Sequence, residues 1–230
     1  MRWHQRAFLK VYVPLWALWF RLGRRPLSWL VDRFRPRVPL PPRRFDSLES
    51  FARWWREHTR WRSDPLKGAF DVIASLAYAQ WQWREKGVFE DDCDGLAYVA
   101  AQHVRLFADG GRCYVVTLLL NPFDFSSLWE GLQMGAHVLC IFPYRGRWYV
   151  LSNNEIFPQT WATFSEALEE NPYTRGHTIL WYEVRDPHMG LLAVNAPPEG
   201  EVYLTRRASG AEEKVGIAGA SRRDDVMRDT

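Results

Sequence analysis

Phe89-Glu90-Asp91-Asp92-Cys93-Asp94-Gly95-Leu96-Ala97-Tyr98 is the stretch on which the reading of this chain turns. A carboxylate-rich segment stops there and an apolar-periodic one begins, with Leu96, Val99, Ala100 and Val104 recurring at helical spacing. Asp91 or Asp92 is placed to cap that helix by accepting a hydrogen bond from an orphaned first-turn N–H. Cys93 then falls in the first turn, at the positive end of the helix dipole, where a thiolate is favoured over a thiol. Asp91, Asp92 and Asp94 oppose that effect, so a base or cation from elsewhere in the chain has to help.

Working outward toward the C-terminus, the helix is expected to stop at Ala108-Asp109-Gly110-Gly111. Residues 112–120 are apolar and β-branched and read as a buried strand. Residues 121–135, carrying Phe123, Phe125 and Trp129, read as a long loop, either one wall of a cleft or a flap over the core. Residues 136–142 and 147–153 form a hairpin around Pro143-Tyr144-Arg145-Gly146. A short helix over 164–170, stopped by Asn171-Pro172, and a strand over 178–184 follow. Past Glu199 only Val202-Tyr203-Leu204 carries an ordering signal, and residues 200–230 are expected to be a disordered tail.

Upstream, a helix over 48–58 is capped by Asp46 or Ser47, with Glu49 placed for a capping box on Asp46. Residues 60–65 are a turn. A second helix is expected over 70–83, with Phe70, Ile73, Leu76, Ala77 and Trp81 turned inward. Trp54, Trp55, Trp61, Trp81 and Trp83 lie close to arginines. Several continue the apolar faces of their helices, so core tryptophans beside snorkelling arginines are preferred to bases stacked on a nucleic-acid surface.

Residues 1–38 differ in composition from the rest, and read as a basic, apolar arm joined by a proline-rich linker (39–44) to a domain spanning 45–199. The apolar run 7–20 is broken by Lys10 and Pro14 and is shorter than the ~18 residues of a membrane span. It has the basic start and apolar stretch of a signal peptide, but Phe20-Arg21-Leu22-Gly23-Arg24-Arg25 offers no small-residue cleavage site. Two readings stand: an interfacial anchor with tryptophans at headgroup depth, or an arm packed on the main domain or on a partner protein in a larger assembly. The net charge of +3 does not argue for nucleic acid, which is not expected as a partner. Three cysteines without Cys-x-x-Cys spacing argue against a disulfide framework or zinc ribbon and suit a reducing, cytoplasmic compartment. No cofactor or metal is expected.

Asp92-Cys93-Asp94-Gly95-Leu96-Ala97 resembles the cysteine motif of the transglutaminase-like superfamily, papain-like folds with a Cys-His-Asp set. Gly135-Ala136-His137-Val138-Leu139-Cys140-Ile141-Phe142 is similar to its histidine strand, and Arg147-Trp148-Tyr149-Val150-Leu151-Ser152-Asn153-Asn154 to the strand of its third member. The resemblance covers about the middle half of the chain. It implies an α+β fold, with N-terminal helices and the cysteine helix packed on an antiparallel sheet. It also implies Cys93 as nucleophile and His137 as its base, acting on a peptide or protein substrate. Cys113 and Cys140 sit in apolar strands and read as core.

The third member depends on hairpin register, because a one-residue slip swaps faces. A three-residue loop sets His137 opposite Asn153, which is the preferred assignment. A two-residue Arg145-Gly146 turn sets it opposite Asn154. The opposite slip gives Ser152, which aligns with the superfamily's usual Asp. An asparagine can orient an imidazole through its amide oxygen but cannot stabilise an imidazolium by charge. The expected activity is thiol-dependent amide chemistry, peptide or isopeptide hydrolysis ahead of transamidation. The alternatives are an amidase or transamidase on cell-wall peptide, and a catalytically silent fold used for binding or assembly.

Overall fold

The computed structural model describes residues 2–63 and 72–198. The expected helix start at Phe70, the Asp64-Pro65 turn and the tail from 200 onward, with Val202-Tyr203-Leu204, lie outside the described residues.

The fold is α+β. Among the described residues, seven α-helices accompany a six-stranded antiparallel sheet, and a small parallel pair of strands stands apart from it. In chain order the elements are α1 (Trp3–Leu18), a π turn (Trp19–Gly23), α2 (Arg24–Phe34), α3 (Leu48–His58), β1 (Thr59–Trp61), α4 (Leu76–Lys86), β2 (Phe89–Asp91), α5 (Cys93–Val104), β3 (Tyr114–Leu120), α6 (Leu128–Met134), β4 (Ala136–Tyr144), β5 (Arg147–Ser152), β6 (Glu155–Ile156), α7 (Phe164–Glu169), β7 (Ile179–Arg185) and β8 (Leu191–Val194). The sheet order is β6-β5-β4-β3-β7-β8, which puts the all-buried β3 at the centre beside β4.

Strand alternation builds two cores, one on each face. Val115, Val138, Cys140, Phe142 and Leu151 pack with α5, α3 and α4. Val116, Leu118, Leu139, Ile141 and Val150 pack with α7 through Phe164, Ala167 and Leu168. Helix α5 is buried along nearly its whole length, from Asp94 to Ala101 and again at His103 and Val104. Around His103 gather Phe45, Trp54, Trp55 and Trp83, so three of the five tryptophans near arginines are core or core-edge residues.

Local details depart from the sequence expectations for physical reasons. Helix α3 is capped by Ser47, whose hydroxyl accepts from Ser50 N at 3.1 Å while Ser50 Oγ takes Ser47 N, so Asp46 and Glu49 do not form the box. Helix α4 begins at Leu76, with Ser75 as its cap accepting from Tyr78 N at 3.2 Å, and buries Ala79 and Gln82. The 121–135 stretch holds a 3₁₀ turn at Pro122–Asp124 and then α6, capped by Ser127. Thr59–Trp61 pairs in parallel with Phe89–Asp91 and so tethers the end of α3 to the segment leading into α5.

The residues read as an arm are helical and share the core of the domain. Tyr12 and Phe20 are buried against Leu119 and Trp181, with Phe20 stacked on Trp181 at 5.7 Å. Farther along, Ser28 Oγ accepts from Ile73 N at 2.9 Å, and Ser75 donates to the Asp32 carboxylate at 2.7 Å. The last arm residue, Val38, is fixed just before the linker, its N–H donating to Ala77 O at 2.9 Å.

Candidate functional site

The N-terminus of α5 is built by its own acidic residues. Asp92 is extended (φ −82°, ψ −170°) and its carboxylate accepts from Asp94 N at 3.1 Å, so Asp92 is the cap and Cys93 the first helical residue. Gly95 leaves room for the Asp91 carboxylate folded against the helix, which a Cβ at this position would push aside. Asp94 is completely buried and ion-paired with Arg24 of α2, itself nearly inaccessible. The cation that the acidic stretch called for therefore arrives, for Asp94, from the first helices of the chain. A carboxylate buried at this depth is tolerable only with such a partner.

Cys93 is partly exposed and opens onto a cavity of about 370 Å³. Asp92, His137, Asn153 and Tyr173 share its wall, closed by Trp16 and Phe20 from the first helices. Leu132, Gln133 and Met134 of α6 form another side, so the 121–135 stretch is a wall of the cleft, one of the two roles read for it. Trp61, half exposed, completes the rim with Ser63.

His137 lies near the start of β4. Its Nε2 is 2.9 Å from Ser152 Oγ, and its ring stacks on Tyr173 with centroids 4.0 Å apart. Burial lowers its pKa to about 3, so the imidazole is neutral at physiological pH. Tyr173 is held above the usual phenol range by burial and then by the nearby Cys93 charge, and its hydroxyl donates to Met134 O.

Strand parity places the two expected partners on different faces. His137 pairs with Leu118 and shares the side of Leu139 and Ile141, which face α7. Cys93 belongs to α5, which packs on the side of Val138, Cys140 and Phe142. The two converge on one cavity because β4 and β5 pair only as far as Leu139 and Ser152, leaving the first residues of β4 uncovered at that edge. The structure thus brings Cys93 and His137 to a common space, while the imidazole itself is engaged by Ser152 and Tyr173.

The third position differs from the preferred expectation. Tyr144 pairs with Arg147 across a two-residue Arg145-Gly146 turn with positive φ at both residues (52° and 73°), not a three-residue loop. Asp109 fixes that turn by accepting from Arg145 N at 2.9 Å and Gly146 N at 2.7 Å. In this register Ser152 pairs with Leu139 and is the diagonal, same-face neighbour of His137. A continued ladder would have reached Asn154, but the chain turns at Asn153 (φ 54°) into β6, so neither asparagine meets the imidazole. Asn153 instead accepts from Trp55 Nε1 at 3.2 Å through its carbonyl, and lines the cavity with a buried Oδ1 that has no partner among the described residues.

Sequence reasoning missed Tyr173, Gln133, Trp16 and Phe20 as cavity residues. Trp16 and Phe20 were visible only as part of an apolar run. Tyr173 sits in the irregular turns after α7, where no periodicity marks it. Cys113 and Cys140 are buried free thiols with sulfurs 3.4 Å apart, and burial pushes the Cys113 thiol far up. Comparison of the chain with protein-family models, with curated proteins and with solved structures found no match.

Proposed function

We propose that the cavity carries thiol-dependent amide chemistry of the transglutaminase-like, papain-type kind, with peptide or isopeptide hydrolysis as the reaction. The observation that supports this most is the convergence of a helix-opening, accessible Cys93 and a hydroxyl-anchored His137 on one 370 Å³ space. In this reading the Cys93 thiol passes its proton to His137 as sulfur attacks the amide carbonyl. The oxyanion that forms faces the first-turn N–H groups of α5. The tetrahedral species collapses with C–N cleavage, the leaving nitrogen taking the proton from His137. Water then adds to the thioester, the C–S bond breaks, and acid and thiol are regenerated. Ser152 takes the orienting role in place of a carboxylate. Gln133 and Asn153 are the carboxamides on the wall able to bind the substrate backbone.

A second reading, a fold of this kind used to bind rather than to cleave, is favoured by two observations. His137 projects on the α7 side of the sheet, and an imidazole with a pKa near 3 is a weak base at neutral pH. Brief iodoacetamide labelling at neutral pH, followed by peptide mapping and an assay on a panel of peptide amides, separates the two. The hydrolase reading expects Cys93 to be the fast-reacting thiol and at least one amide to turn over. Fast labelling of Cys113 or Cys140 with Cys93 spared contradicts it, and a reactive Cys93 with no turnover on any amide supports the binding module.

A further inference from the structure

The first helices of the chain have two faces with opposite fates. The inner face, through Tyr12, Phe20, Arg24 and Ser28, is buried in the domain. The outer face carries Val11, Leu15, Leu18, Leu22, Pro26 and Trp29, spaced by three or four residues so that they form one stripe along α1, the π turn and α2. All six are exposed. Trp3 prolongs the stripe at one end and Phe34 at the other, at 81% exposure each, with Trp29 at 66%. Large side chains so exposed and so aligned are not the scattered apolar residues of an ordinary surface.

The charge around this stripe identifies its counterpart. Residues 1–38 contain nine arginines and lysines against one acid, Asp32. Arg2, Arg6, Lys10, Arg21, Arg33 and Arg37 are exposed. The single acid, Asp32, accepts from Ser75 at 2.7 Å and pairs with Arg37, so it offsets one of the nine cations. An apolar stripe flanked by cations and bearing tryptophans near both ends matches the boundary of an anionic bilayer, where rings lie at headgroup depth and guanidinium groups meet phosphates. Among the described residues no helix is long and apolar enough to cross a membrane, so the geometry is that of a helix lying in the interface plane.

We propose that the outer face of α1, the π turn and α2 seats this protein on an anionic lipid surface while the inner face holds the domain. The anchor is then continuous with the fold rather than a detachable tag, because the helices that meet the lipid are the ones that supply Arg24 to Asp94 and close the Cys93 cavity.

The test is co-sedimentation of the full chain with vesicles of phosphatidylcholine alone and of phosphatidylcholine mixed with phosphatidylglycerol. Binding is expected to the mixed vesicles, weakening as salt is raised because exposed charges are screened. The pair Leu18→Glu with Leu22→Glu, and separately Arg21→Glu with Arg33→Glu, is expected to lower vesicle affinity at least about tenfold with an unchanged melting curve, since all four side chains are exposed. No sedimentation of the parent with mixed vesicles overturns the proposal whatever the variants do. So does equal binding by parent and variants. A parent that self-associates without lipid, and is rendered monomeric by the leucine pair, assigns the face to a second copy of the chain instead.

Discussion

His103 and His137 are both buried, both neutral, and differently placed. Burial lowers the pKa of His103 to about 4 and that of His137 to about 3. His103 is caged by Phe45, Trp54, Trp55 and Trp83; its Nδ1 donates to Val99 O one turn back at 2.9 Å, and its Nε2 is buried with no partner among the described residues. His137 has a hydroxyl on Nε2, a tyrosine on one face and a cavity shared with a cysteine. A depressed pKa therefore does not mark function here, since desolvation produces it in both places. What separates the two histidines is the space beside the ring.

The largest effect is expected from Cys93→Ala, which removes the nucleophile and should lower amide turnover by about a thousandfold or more. His137→Ala should slow acylation of Cys93 by about a hundredfold, in the range of a lost general base. His103→Leu should leave acylation within about twofold, because His103 does not line the cavity and reaches its wall only through Trp55, which donates to the Asn153 backbone carbonyl. Equal losses from the two histidine variants would erase the distinction.

Arg24→Met tests the link between the first helices and the site. It takes the Arg24 guanidinium away from the buried Asp94 carboxylate, so denaturant unfolding should show a loss of about 3–5 kcal/mol. Asp94→Asn combined with Arg24→Met should recover part of it, since the side chain that lost its cation is then neutral.

Acid should weaken the fold through the same two histidines. Their folded pKa values lie below the unfolded value of 6.5, so the unfolded chain takes up protons first as pH falls. The stability is fully present above about pH 6.5 and is lost as pH falls toward 4 for His103 and toward 3 for His137, at up to about 1.4 kcal/mol per pH unit for each histidine. Chemical denaturation as a function of pH should show a shallower slope in His103→Leu over that window.

The smallest effect belongs to the third position. Ser152→Ala removes one hydrogen bond to the imidazole, worth up to about tenfold in rate. Asn153→Ala and Asn154→Ala should do less. A larger loss from Asn154→Ala would mean that the ladder continues past Ser152 when substrate is bound.

The contrast also shows what the sequence makes legible. The switch from carboxylates to an apolar period at Asp92 locates the start of α5 and the position of Cys93, because capping is local chemistry. Short apolar, β-branched runs bounded by turn residues locate β3, β4 and β5 for the same reason. Hairpin register was not readable, since it depends on Arg145 adopting a positive φ that a glycine or asparagine usually occupies, and on Asp109, distant in sequence, bonding the turn. The side of the sheet on which His137 stands follows from that register and from the packing of α7. The docking of the first helices rests on Arg24 and Asp94, seventy positions apart, and a basic residue among many gives no sign of which one will be buried. Strand β8, short and half exposed, left too weak a pattern to separate it from loop.

The most direct measurement is to mix the protein with a p-nitrophenyl acyl ester, quench in acid and map the acyl mass. The account predicts a hydroxylamine-labile acyl group on Cys93, absent in Cys93→Ala, and formed about a hundredfold more slowly in His137→Ala but not in His103→Leu. An acyl group elsewhere, or one that reaches Cys93 at the same rate without His137, contradicts it.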